Sequence, residues 1–211
     1  MKLIIGTAKF GFKYGLDKKR IKKIEINNIK KILEKNLLKK FDTATNYGDS
    51  EKIIGNFNIS KKVITKIKLP INKPKDLDKW CTKKLNNSLK KLKVKSLYGL
   101  LIHDTSDILG KDKEFLNILL DFKKKNFISK LGISVYEISE IKRILKFWKP
   151  DIIQMPVNIF DHRFLNNTFL NKLKNLDIEL HARSCFLQGL LLGKKIKITN
   201  RRSKKKILKF F

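Results

Sequence analysis

The residues best suited to chemistry stand close together in Phe41-Asp42-Thr43-Ala44-Thr45-Asn46-Tyr47-Gly48-Asp49-Ser50-Glu51. The stretch reads as a strand end, a short loop with a glycine, and a helix start. Asp49 and Ser50 are N-cap types, and Glu51 puts negative charge in the first turn. Asp42 sits at the strand end and Tyr47 on the loop after it. Further on, Lys66, His103, Ser134 and Gln154 close other short apolar runs. Carboxylate, phenol, ammonium and imidazole are the side-chain groups that hold and pass protons. Taken singly, each has an ordinary structural explanation. Asp42 can cap a turn, and Ser134 and Gln154 can bond backbone groups at strand ends. Lys66 can be a solvated edge lysine, with Lys68 competing for any functional role. Nothing in the sequence singles out His162 or His181.

The elements that must position these groups alternate regularly. Strands are expected at Leu3–Ile5, around Asp42, at Lys61–Lys68, Leu97–Ile102, Ile128–Ser134, Asp151–Met155 and Ile178–Ala182. Lys9–Gly15 reads as a glycine-punctuated loop. Helices are expected from Asn27 or Asn28 through Leu37, from Ser50, over Leu77–Leu92, around Phe115–Leu120, over Ile138–Trp148 until Pro150 stops it, and between Asn166 and Leu176. A further helix is expected to begin after Arg202. Seven strands read as short apolar runs alternating with helices, which means a parallel sheet with helices outside. An open doubly wound sheet and a (β/α)8 barrel both satisfy that pattern. Strand one is not followed by Gly-x-Gly-x-x-Gly, which argues against a dinucleotide-binding open sheet. In a barrel, the strand ends carrying Asp42, Lys66, His103, Ser134 and Gln154 would share one mouth.

With 211 residues, the sequence is long enough for one domain, residues 1–211, with a real core. Apolar residues make up 42%, too many for a disordered chain. No apolar run approaches the roughly 18–20 residues needed to span a bilayer, and the N-terminus does not read as a secretory signal. A cytoplasmic protein is expected, with no membrane partner. Cys81 and Cys185 fit neither a disulfide framework nor metal-ligand spacing, and each is expected to be a core thiol. The net charge of +31 would favour polyanions. The basic residues are mostly lysines spread over every segment, and no nucleic-acid-binding signature accompanies them. No specific nucleic-acid partner is expected, although a basic nucleic-acid-binding protein stays open as an alternative.

Asp42 and Tyr47 within Asp42-Thr43-Ala44-x-x-Tyr47-Gly48-x-Ser50-Glu51, Lys66 in Thr65-Lys66, and His103 in Leu101-Ile102-His103 resemble, in order, the catalytic tetrad of the aldo/keto reductase family. Thr7-Ala8-Lys9-Phe10-Gly11 with Tyr14-Gly15 is similar to the family's opening. The resemblance implies reduction of an aldehyde or ketone carbonyl by hydride transfer from NADPH, with NADH also possible. The substrate would be a small-molecule carbonyl and no metal is implied. Tyr47 would then donate the proton. A free tyrosine is a weak acid, with a pKa near about 10; a buried Lys66 ammonium would lower it. Asp42 would keep that lysine charged and oriented, and His103 would orient the carbonyl. Ser134 and Gln154 match residues that hold the nicotinamide amide. Val135 stands where the family has an asparagine. After strand seven, in Arg183-Ser184, Arg183 replaces a tyrosine that stacks on the ring, which a guanidinium can also do.

Family members continue through a last strand and helix that this sequence lacks. The expectation is therefore a (β/α)8 TIM-barrel type with about seven βα units present. A truncated, non-catalytic remnant stays open beside the active enzyme. Substrate identity, the choice between NADP and NAD, and oligomeric state are not legible.

Overall fold

The computed structural model describes residues 3–14, 23–35, 39–57, 59–110 and 112–192. The helix expected after Arg202 and the end of the first expected helix, at Leu37, lie outside these residues. Seven strands form one parallel sheet in sequential order: β1 Ile5–Gly6, β2 Lys40–Asp42, β3 Lys62–Ile67, β4 Leu97–Ile102, β5 Ile128–Ser134, β6 Ile152–Pro156 and β7 Glu179–Arg183. The order never reverses, so the sheet has no switch point of the doubly wound kind.

Hydrogen bonding across the sheet shows that it curls. A flat sheet would hold β2 and β6 four spacings apart, about 19 Å. Yet Gln154 Nε2 on β6 donates to Asp42 Oδ1 on β2 at 2.9 Å. Lys40 on β2 likewise meets Glu179 on β7 at 3.5 Å. The architecture is that of a (β/α)8 barrel with seven strands among the described residues.

The helices pack outside: α1 Ala8–Gly11, α2 Lys23–Lys35, α3 Ser50–Gly55, α4 Leu77–Leu92, α5 Ser106–Leu109, α6 Glu114–Lys124, α7 Ile138–Ile144 and α8 Asn167–Asn175. The loop expected at Lys9–Gly15 therefore starts as a helical turn, α1. The helix expected to run to Trp148 ends earlier, at Ile144. A 3-10 segment at Leu187–Leu192, not expected, follows β7.

Helix α4 shows how the sequence forms these elements. Asp76 caps it by accepting from the Lys79 backbone N–H at 2.8 Å. Its stripe of Leu77, Cys81, Leu85 and Leu92 is buried, and each leucine contributes about 1.5–3 kcal/mol. Lys93, in the left-handed region at φ 55°, ends it. None of the described helices is long and apolar enough to cross a membrane.

Inside the sheet, side chains form layers, as barrel interiors do. The middle layer is apolar, with Ile64, Leu101 and Ile152 buried together. A Cβ on Gly132 would lie 2.4 Å from the Ile152 carbonyl oxygen, so that layer admits no side chain there. Below it, the Tyr98 hydroxyl donates to Glu179 Oε2 at 2.6 Å and Lys130 Nζ donates to the same oxygen at 2.5 Å. Above it lies the candidate site, at the C-terminal ends of the strands.

Candidate active site

The site is built around a buried ion pair. Lys66, fifth residue of β3, is 1% exposed. Its Nζ donates to both Asp42 carboxylate oxygens at 2.7 Å and to the Thr43 carbonyl at 3.0 Å. An ammonium buried this deeply is tolerated only when paired and hydrogen-bonded. Burial pulls the Lys66 pKa below that of an ordinary lysine, while the Asp42 carboxylate works to keep the proton on. Lys66 and Lys68 differ in depth. Lys68 lies beyond the end of β3, half in solvent, and pairs with Asp104 at 2.7 Å.

Tyr47 reaches the pair from the loop after β2. Its backbone N–H donates to the Ala44 carbonyl at 3.0 Å, and its carbonyl accepts from the Ser50 N–H at 3.1 Å. Two glycines let this loop lie against α1. A Cβ on Gly11 would stand 1.4 Å from the Tyr47 carbonyl oxygen, and Gly48 adopts φ +56°. Lys66 Nζ lies 5.4 Å from the Tyr47 ring centroid, and the His103 ring meets Tyr47 edge-on at 5.9 Å. Burial, and then the Asp42 carboxylate, push the Tyr47 hydroxyl well above the ordinary tyrosine value. The sequence led us to expect the opposite. Here the lysine's charge is met at 2.7 Å by Asp42, and desolvation of a phenolate outweighs what remains. Burial, then the Lys66 charge, bring the His103 pKa down to about 4. The imidazole is therefore neutral at physiological pH, and its buried Nδ1 has no partner among the described residues.

All eight expected residues, Asp42, Tyr47, Lys66, His103, Ser134, Gln154, Arg183 and Ser184, line one cavity of about 600 Å³. Gln154 is 3% exposed. With its Nε2 turned toward Asp42, its Oε1 is left buried and without a partner among the described residues. Arg183 Nη2 donates to the Val135 carbonyl at 2.9 Å, and its guanidinium lies 4.2 Å from the Tyr136 ring centroid. It thus stacks on an aromatic of its own chain. Ser184 adopts φ +60° at the turn leaving β7.

Several positioning residues were missed or misassigned from the sequence. Ser50 does not cap α3: Asp49 holds the cap position without a side-chain cap bond. The Ser50 hydroxyl instead donates toward Thr7 Oγ1 at 2.8 Å and lies 2.9 Å from Thr43 Oγ1. Those fully buried hydroxyls tie β1, β2 and α3 together beneath the Tyr47 loop. Glu51 stands in the first turn of α3 as expected and is buried, accepting from Thr65 Oγ1 at 2.8 Å. Cys185 is exposed at the cavity edge, not a core thiol, because the chain after β7 turns outward there. His181 also lines the cavity, and its Nε2 lies 2.8 Å from Glu179 Oε1. Glu179, His181 and Arg183 alternate along β7, the period that puts them on one face of the strand.

A family model described as the aldo/keto reductase family matches residues 2–209. No curated protein matches the sequence. Among solved structures, an aldo-keto reductase from Bacillus halodurans in its holo form is 18% identical over 99% of this chain and 72% of that one, with a TM-score of 0.72. A putative aldo-keto reductase from Pseudomonas aeruginosa is 19% identical over 86% of this chain and 72% of that one, with a TM-score of 0.68. An aldo-keto reductase from Klebsiella pneumoniae in complex with NADPH is 15% identical over 88% of this chain and 64% of that one, with a TM-score of 0.65.

Proposed function

The chain belongs to the aldo/keto reductase family, a family of oxidoreductases, and from that premise we propose that it reduces the carbonyl of a small aldehyde or ketone with NADPH, Tyr47 giving the proton. NADH is the alternative cofactor. The observation that carries the reading is the Asp42–Lys66 pair, buried at 2.7 Å beneath the Tyr47 ring in a cavity the other expected residues share.

The cavity suits a nicotinamide. Gln154 Oε1 is a buried acceptor with no protein donor, and the Ser134 side chain, 3% exposed, lines the same floor. A primary amide offers the donors and the acceptor that such a floor can satisfy. Gln154 and Ser134 would hold that amide, with Arg183 and Ser184 at the rim beside it. Bound NADPH supplies the hydride that reaches the carbonyl carbon.

The side chains handle the charge that appears on oxygen. Tyr47, its pKa raised, keeps its proton throughout the physiological range. The substrate oxygen becomes more basic than a phenolate as the carbonyl bond is reduced, so the proton passes from Tyr47 Oη to it only then. The phenolate left on Tyr47 sits close to Lys66, which Asp42 keeps in place. Proton transfer from solvent restores the phenol. His103, neutral above its pKa of about 4, can hydrogen-bond the carbonyl without adding a charge.

Tyr47→Phe tests the assignment. The variant removes one hydroxyl and keeps the ring contacts, so it should fold and bind NADPH like the wild type. Carbonyl reduction should fall by about 10²–10⁴-fold, the usual contribution of a positioned acid. NADPH-dependent turnover of a panel of aldehydes, followed at the nicotinamide absorbance, is the assay. Undiminished turnover would remove Tyr47 from the proposal.

A further inference from the structure

His181 belongs to neither the tetrad nor the expected amide-holding residues, yet it is 6% exposed and lines the same cavity. Its two ring nitrogens are in different situations. Nε2 lies 2.8 Å from Glu179 Oε1. Glu179 also accepts from the Tyr98 hydroxyl at 2.6 Å and from Lys130 Nζ at 2.5 Å, and meets Lys40 at 3.5 Å. Burial works against its charge, but the Lys130, Tyr98 and His181 hydrogen bonds keep it ionised. A carboxylate held by three donors can only accept, so Nε2 carries the hydrogen. In the neutral ring Nδ1 is then an acceptor, and it is buried with no partner among the described residues.

Its neighbour completes the arrangement. His181 on β7 is the register partner of Gln154 on β6, so the two side chains stand side by side in the same layer. Asp42 takes the Gln154 Nε2, which leaves Oε1 as a second buried acceptor without a partner among the described residues. Two adjacent orphan acceptors call for one group with two hydrogens. Leaving either unsatisfied costs more than a hydrogen bond normally returns. A primary amide nitrogen is such a group.

We propose that His181, its tautomer set by Glu179, is a second acceptor for the carboxamide NH2 of the bound nicotinamide, so that the cavity demands both amide hydrogens. This rests on the cofactor reading above. Glu179 acts here as a positioning residue, and the polar layer at the base of the barrel thereby sets what the mouth accepts.

The test is binding, not turnover. Calorimetry would compare NADP+ with its 3-acetylpyridine analogue, in which a methyl group replaces the NH2, on wild type, His181→Leu, His181→Asn and Glu179→Gln. Wild type should favour NADP+ by about tenfold or more, as expected for two lost hydrogen bonds. His181→Leu should lose about three- to tenfold in affinity for NADP+ and little for the analogue. His181→Asn, with an amide oxygen near the Nδ1 position, should recover part of the preference. Glu179→Gln frees the tautomer and should narrow the preference even if the leucine variant does not fold. Equal binding of both ligands by wild type, or equal weakening of both by the folded variants, would overturn the role of His181 while leaving the cofactor reading standing. Binding of neither ligand by folded wild type would overturn both.

Discussion

Replacing Lys66 by methionine probes the pair around which the site is built. The substitution keeps the length of the side chain but removes the group that donates to both Asp42 oxygens and to the Thr43 carbonyl. Breaking one side of a buried pair costs about 3–5 kcal/mol, chiefly because the other charge is stranded. Asp42 is not fully stranded. It keeps the 2.9 Å bond from Gln154, and its side chain is 18% exposed. The expected cost is therefore near the lower end, about 3 kcal/mol. Asp42→Asn should cost a similar amount, because it leaves the deeper ammonium without its carboxylate. The double variant strands no charge and should cost about 1–2 kcal/mol, since replacing both partners of a buried pair is often close to neutral. The singles then sum to about 6 kcal/mol against that figure, a coupling of about 4 kcal/mol. Urea unfolding followed by two optical probes measures each term. With a slope of about 2 kcal/mol/M, each single variant shifts the midpoint down by about 1.5 M. If the two singles add to within about 0.5 kcal/mol of the double, the pair is not the electrostatic unit described here.

The remaining predictions use the same measurements. His103 has a folded pKa of about 4 against an ordinary 6.5, so the unfolded chain takes up the proton first as pH falls. Its contribution to stability is complete above pH 6.5 and lost between 6.5 and 4; His103→Asn should unfold with a shallower loss over that window, and parallel losses would contradict the shift. Gly11→Ala should cost at or beyond the upper end of about 1–3 kcal/mol for overpacking, because its Cβ would meet the Tyr47 carbonyl at 1.4 Å. Gly6→Ala is the control: a Cβ there meets nothing within 4 Å, and its urea midpoint should match the wild type.

Close approaches of this kind are invisible in the sequence. Gly11 and Gly48 read as loop punctuation, and nothing in their neighbours says that two backbones pass within contact there. Ser50 and Glu51 read as a helix start, and α3 does begin there, but a short window does not carry what their side chains bond. In the fold, satisfying the buried hydroxyls of Thr7, Thr43 and Thr65 takes precedence over capping.

What the sequence determined by itself is the order of elements and which residues stand at the strand ends. Apolar runs of strand length alternating with helical stripes force a parallel sheet. A parallel sheet delivers Asp42, Lys66, His103, Ser134 and Gln154 to the same end, whatever the details. What the sequence could not determine is every relation across the barrel. The bond from Gln154 to Asp42 joins strands four apart, and it exists only because the sheet curls. The preference for Lys66 over Lys68, the neutral His103, the raised Tyr47 pKa and the unpartnered nitrogen of His181 all follow from burial. Burial depends on which side chains face one another across the curled sheet. That arrangement is a property of twist and curl summed over the seven described strands, and no single stretch of the sequence encodes it.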